Sequence, residues 1–186
     1  MMKNITDVEL VECEESRFVK LKQMNYVQDG VAKRWELAQV HDSVAILIYH
    51  KDRDSFVVVK QFRPPIYLKN RDGYTYELCA GIIDKECSLE QIAIEEVEEE
   101  CGFRVSSLER ITSFFSAVGF AGAQQTLYYV EVSDKNKVSN GGGIENESIE
   151  VIYLPTSKAK EFIFDETKGK TPGIMFGFSW WFEYKS

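Results

Sequence analysis

The residues with the clearest chemical potential lie between Gly81 and Phe103, in GIIDKECSLEQIAIEEVEEECGF, where eight acidic side chains gather. Glu96, Glu99 and Glu100 stand at i, i+3 and i+4, so a helix carries their carboxylates on one side at neighbouring positions. Like charges at that spacing repel and weaken the helix that bears them. Hard divalent cations take oxygen ligands, and magnesium in particular is held by a few carboxylates together with water and substrate phosphates. The alternative is a hydrated acidic face, the usual fate of a charge run. Spacing alone leaves both open.

A helix must position this cluster. Ser88 is suited to cap it, with Glu90 and Gln91 in the first turn, and Leu89, Ile92, Ala93, Val97 and Cys101 recur at spacings of three and four. Gly102 suits the left-handed residue that ends a helix. Before it, residues 17–40 alternate on both sides of Asp29-Gly30, which predicts a β-hairpin. The apolar, β-branched runs Ser43 to Tyr49 and Phe56 to Phe62 predict paired core strands joined by the polar turn Lys51 to Asp54. Pro64-Pro65 and a polar loop, Lys69 to Gly73, lead to a short strand from Thr75 to Ala80. Further strands are expected at Leu108 to Phe115, Gln125 to Val132 and Ile149 to Leu154, with Thr171-Pro172 opening a last helix through Trp181. This order predicts an α+β sandwich with a mixed β-sheet: an N-terminal β region over 1–42 and one domain over 43–186.

The bulk properties agree with one folded domain of ordinary size. The chain has 186 residues, 44% apolar and 28% charged, enough for a substantial core. A net charge of -8 without any basic stripe argues against nucleic acid as a partner. No run approaches the roughly 20 apolar residues of a membrane span, and Met1 to Glu9 lacks the apolar core of a signal peptide, so a cytoplasmic protein with no membrane association is expected. Cys13, Cys79, Cys87 and Cys101 form no CxxC pair and are expected as free thiols. His41 and His50 have no adjacent nucleophile, which leaves a histidine-based triad without support.

From Gly81 to Phe103 the sequence resembles the box of the Nudix family, G-x(5)-E-x(7)-R-E-U-x-E-E-x-G-U, at full length without gaps. Two positions depart from it: Cys87 replaces the first glutamate and Glu95 the arginine. In the family those two side chains commonly pair to brace the box, so their joint loss leaves neither partner alone. Outside the box, HDSVAILIY, VVVKQFRPPIY, YELCAG, SAVGFAGAQQTLYYVEV, GGGIENESIEVIYLP and PGIMFGFSWW are similar to the uridine diphosphate glucose pyrophosphatases, a branch related to the ADP-ribose pyrophosphatases.

The resemblance implies a Nudix α/β/α sandwich, a homodimer built with the N-terminal β region, and hydrolysis of the pyrophosphate of a nucleoside diphosphate sugar. The expected products are UMP and glucose 1-phosphate from UDP-glucose, or AMP and ribose 5-phosphate from ADP-ribose. A silent Nudix-like binding module is the rival from another class. Carried over by position, Glu96, Glu99 and Glu100 bind Mg2+, with Mn2+ as an alternative, at a solvated site, and the Ala80 carbonyl is a further ligand. Glu145, with Glu147 as second choice, is the candidate base or metal-ordering carboxylate beside Glu99, delivered by the Gly-rich segment Asn140 to Gly143. Arg63 is a candidate phosphate contact by its planar fork, or else the partner of an acid. Glu77 is a candidate for holding substrate, or an ordinary sheet carboxylate. Ser116 to Gln125 reads as a pocket-lining loop or a plain connection.

Overall fold

A computed structural model describes residues 5–144 and 147–186. Strands β1 (Lys20–Gln28) and β2 (Val31–Gln39) form the expected N-terminal hairpin in antiparallel register. Its turn residues Asp29 and Gly30 both have positive φ, 54° and 77°, as a two-residue hairpin turn requires. The hairpin is tied to the rest of the chain through Ala38 N–H to Phe120 O (2.7 Å) and Trp35 Nε1–H to Gly119 O (2.9 Å).

The main sheet is mixed. β3 (Ser43–His50) pairs in parallel with β8 (Ala123–Val132), which pairs antiparallel with β7 (Glu109–Ser116). On its other side β3 meets β4 (Ser55–Phe62) only at its C-terminal end, and β4 pairs along its length with β9 (Ile149–Pro155). Into the gap between β3 and β4 runs the segment expected as one strand. It divides at Leu78 because its first half, β5 (Tyr74–Glu77), pairs with β4, and its second, β6 (Cys79–Ile82), pairs with β3. The split opens the sheet where Ala80 and Gly81 lie opposite Ala45 and Val44.

The period of two along β3 sorts the core. Val44, Ile46 and Ile48 pack with Val57, Val59 and the apolar face of α2 (Leu89–Cys101), whereas Ala45 and Leu47 face the other way with Phe56 and Val58. That second layer is covered by α3 (Thr156–Phe164) and α4 (Pro172–Tyr184), with Phe178 stacked on Phe56 at 4.2 Å and Trp181 donating to the Tyr129 hydroxyl at 3.3 Å. The result is the expected α/β/α sandwich. Thr171 precedes α4 as read, but its hydroxyl makes no capping bond.

Two helices differ from expectation. α1 (Pro64–Asn70) occupies much of the stretch read as turn and loop, with prolines in its first turn where a missing N–H costs nothing. α3 is too short for its apolar positions, Ala159, Phe162 and Ile163, to stand out as a period. It forms because the sheet face beneath it needs cover. The four cysteines are free thiols, Cys79 and Cys101 buried. Among the described residues no helix is long and apolar enough to cross a membrane.

Candidate active site

The ends of α2 are built as the sequence suggests. Ser88 Oγ accepts the Gln91 N–H (3.1 Å), and Gly102 (φ 73°) closes the helix with its N–H on Glu98 O (3.0 Å). Val97 and Cys101 anchor the buried face, so Glu96 and Glu100, one residue before each, are drawn to the boundary with β6. Glu100 is only 4% exposed, and its Oε2 accepts the Ala80 N–H at 3.0 Å. The Glu96 carboxylate fills the space beside Gly81 where any other residue would place its Cβ.

The burial of Glu100 overturns the expectation that it is a ligand at a solvated position. Desolvation is the main cause lifting the Glu96 carboxyl to about 7, with Glu99 and Glu147 adding repulsion. Desolvation likewise pushes Glu100 up to about 8, Glu96 and Glu147 adding, while the Ala80 N–H and the Cys79 thiol pull the other way. The outer acids of the same helix are balanced. Glu98 takes both prongs of Arg104 (2.8 and 3.0 Å), Glu95 takes Lys85 (3.1 Å) and Gln91 (3.0 Å), and Glu90 accepts the Leu108 N–H (3.1 Å). Among the described residues the inner pair makes no contact with a protein cation, and such a concentration of negative charge fits hard divalent cations. Among the described residues no three of these carboxylates bring their oxygens within 4.8 Å of one another.

The Gly-rich segment reaches the site through the open carbonyls of the last turn of α2. Gly142 N–H bonds Glu100 O (2.8 Å), Gly143 N–H bonds Glu99 O (3.2 Å) and Val138 N–H bonds Gly102 O (2.9 Å). Gly141 (φ 67°) passes so close to the Glu100 carbonyl that a Cβ there would overlap it. This docking carries Glu147 near enough to raise both inner glutamates, with its Oε2 accepting the Ile144 N–H at 3.0 Å. Glu145, the first choice for the base, lies outside the described residues.

Arg63, at the end of β4, forks onto Glu77 through Nε (2.8 Å) and Nη2 (2.7 Å), and Thr75 Oγ1 also donates to Glu77 (2.6 Å). The bond to Glu77 raises the guanidinium pKa, and the charges of Glu100 and Glu147 act in the same direction. Arg63, Glu77, Glu96, Glu100 and Glu147 therefore share one field at the split in the sheet. In the run Ser116 to Gln125, Val118 and Phe120 are exposed beside Met24 and Trp35 of the hairpin, whereas Gln125 lies opposite Ser43, the partner of Ile82.

Residues 39–171 match the NUDIX domain model. The chain belongs to the Nudix family. It is 39% identical to the uridine diphosphate glucose pyrophosphatase of Bos taurus, over 97% of this chain and 96% of the relative. The mouse (Mus musculus) protein of the same name is 36% identical over the same shares. A GDP-mannose pyrophosphatase of Cronobacter sakazakii is 32% identical over 72% of this chain and 71% of its own.

The two departures from the Nudix box now have a structural account. Glu95, standing in place of the box arginine, pairs with Lys85, two residues before Cys87. The brace between loop and helix is kept with its charges exchanged. Reading the box position by position missed Lys85; the acidic residue at an arginine position was the signal to search nearby for a cation. Thr75 was likewise missed, and its alternation with Glu77 on one strand face was the available clue.

Proposed function

We propose that this chain hydrolyses the pyrophosphate bond of a nucleoside diphosphate sugar with a divalent cation, Mg2+ or in its place Mn2+, and that UDP-glucose is its preferred substrate, giving UMP and glucose 1-phosphate. The observation that carries the chemistry is the pair Glu96 and Glu100 set against β6, Glu100 buried with its carboxylate on the Ala80 N–H and Glu96 filling the space beside Gly81. Similarity over almost the whole length of two UDP-glucose pyrophosphatases supports the substrate.

Glu96, Glu99, Glu100 and the Ala80 carbonyl would hold the cation, which supplies phosphate charge neutralisation and a water of lowered pKa. Glu100 is oriented by the Ala80 N–H and Glu96 by the absent side chain of Gly81. Arg63 binds a phosphate oxygen when it exchanges one prong of its fork from Glu77 to substrate, and Glu77 keeps it extended along the sheet split until then. Glu145, the first choice from the sequence, or Glu147 accepts the proton of the attacking water.

GDP-mannose is the second reading, favoured by the pyrophosphatases of that name among the relatives. Product analysis with UDP-glucose, GDP-mannose and ADP-ribose, each with and without Mg2+, separates the cases. Faster magnesium-dependent release of UMP and glucose 1-phosphate is expected. Preference for GDP-mannose or ADP-ribose would move the substrate, and binding without turnover of any of them would leave a silent module.

The same reading makes residues 1–42 a dimerisation element of a cytoplasmic enzyme whose partners are its substrate and a second copy of itself. One face of the hairpin leaves Met24, Val31 and Trp35 exposed, with Met24 and Trp35 beside the exposed Val118 and Phe120, and the other face leaves Leu21 and Val27 exposed, more apolar surface than a solvated hairpin requires. Sedimentation at micromolar concentration should give twice the chain mass, and Trp35→Glu with Met24→Glu should return it to one. A monomeric wild type would overturn the assignment.

A further inference from the structure

The C-terminal end of β3 carries a feature that pyrophosphate hydrolysis leaves unexplained. His50 is fully buried between the rings of Phe103 (5.5 Å) and Tyr153 (5.6 Å), and among the described residues neither of its ring nitrogens finds a hydrogen-bond partner. A buried imidazole without partners costs free energy, so its retention needs a reason. Its Nε2 lies 3.3 Å from Asp134 Oδ1, but not in hydrogen-bonding geometry. Asp134 is held by its own N–H on Asp52 Oδ2 (2.9 Å), and ligand atoms of all three side chains fall within 4.8 Å of one another.

We infer that His50, Asp52 and Asp134 form a second metal site, selective for a borderline divalent transition ion such as Zn2+ over Mg2+. Zinc–nitrogen and zinc–oxygen bonds of about 2.0–2.2 Å at a tetrahedral angle place two ligand atoms about 3.3 Å apart, which is the His50 to Asp134 separation. A nitrogen that faces a carboxylate without hydrogen-bonding it suits an ion lying off the line between them. One imidazole with two carboxylates suits zinc, whereas magnesium favours an all-oxygen shell. Three protein ligands leave the fourth position of a tetrahedral ion to water.

The site is separate from the pyrophosphatase centre. His50 lies five residues along β3 from Ala45, the partner of Ala80, which is about 16 Å at the rise of a strand. Arg53 opposes binding, with Nη2 3.2 Å from the same Asp134 oxygen. It is half exposed and stacks on Tyr153 at 4.2 Å, so it can leave the carboxylate and keep its ring contact. The ion would join the turn after β3 to the segment after β8.

The chain contains only two histidines, His41 and His50, so histidine NMR reads the site directly. In protein saturated with Mg2+, ZnCl2 should shift the His50 ring signals to a plateau at one ion per chain and leave His41 unmoved, with His41→Asn providing the assignment. Asp134→Asn and Asp52→Asn, both exposed, should each weaken this by about 10- to 100-fold or more, since even outer-shell changes cost that much. Arg53→Met should tighten it, and Glu100→Gln should leave it unchanged. Unmoved His50 signals, or equal affinity in the Asp52→Asn/Asp134→Asn double variant, would overturn the site.

Discussion

Glu100→Gln is expected to lower kcat/KM by on the order of 10³-fold, equivalent to ~4 kcal/mol of lost transition-state stabilisation, while the metal-free protein becomes more stable at alkaline pH. Glutamine keeps an oxygen for the Ala80 N–H but removes a charge that burial disfavours. The folded Glu100 carboxyl is raised from 4.5 to about 8, so the native state binds this proton more tightly than the unfolded chain does. Stability of the metal-free wild type should therefore fall as pH rises from about 4.5 to 8 and level off above. Glu96, raised to about 7, contributes in the same direction. Glu100→Gln should flatten that slope in part, and Mg2+ should stabilise the wild type most at high pH, where both carboxyls are ionised. Melting curves with chelator and with Mg2+ at pH 5.5 and 8.5, beside single-substrate kinetics, measure both effects. Full activity in the variant would remove Glu100 from the metal ligands.

Gly81→Ala should cost about 10²-fold in kcat/KM with little loss of stability. Its backbone lies in β6, a conformation that alanine adopts without strain, so the fold itself tolerates the change. The added Cβ, however, enters the space of the Glu96 carboxylate. That side chain can swing away at small cost, and in doing so it leaves the position from which it would hold the cation. The half-saturating Mg2+ concentration should rise along with the loss of rate. Unchanged Mg2+ dependence would show that Glu96 is not a ligand. Gly102→Ala is a useful contrast, because there the obstruction is the Ser139 carbonyl and φ is 73°, so stability should fall first.

The helix bearing the acids was legible to the residue, Ser88 to Gly102, because cap, apolar period and terminating glycine agree. The hairpin was equally clear at Asp29-Gly30, where two positive φ angles demand that pair. α1 and α3 were not legible, because helices of seven and nine residues are held by the face they cover more than by their own propensity. The partition of Tyr74–Ile82 into two strands also depends on partners, β4 and β3, that are distant in sequence.

For the site, the sequence alone offered the candidates: an i, i+3, i+4 set of glutamates, a glycine ahead of them, and, through the family resemblance, Arg63 after an apolar strand and Glu77 in the strand before the box. Only the tertiary structure decided that the acids of α2 are unequal. Glu95 and Glu98 meet Lys85 and Arg104 at the surface, whereas Glu96 and Glu100 are pressed against β6. Spacing along a helix sets which side chains are neighbours, but desolvation depends on what packs over them, and that is a property of the split sheet and not of the helix.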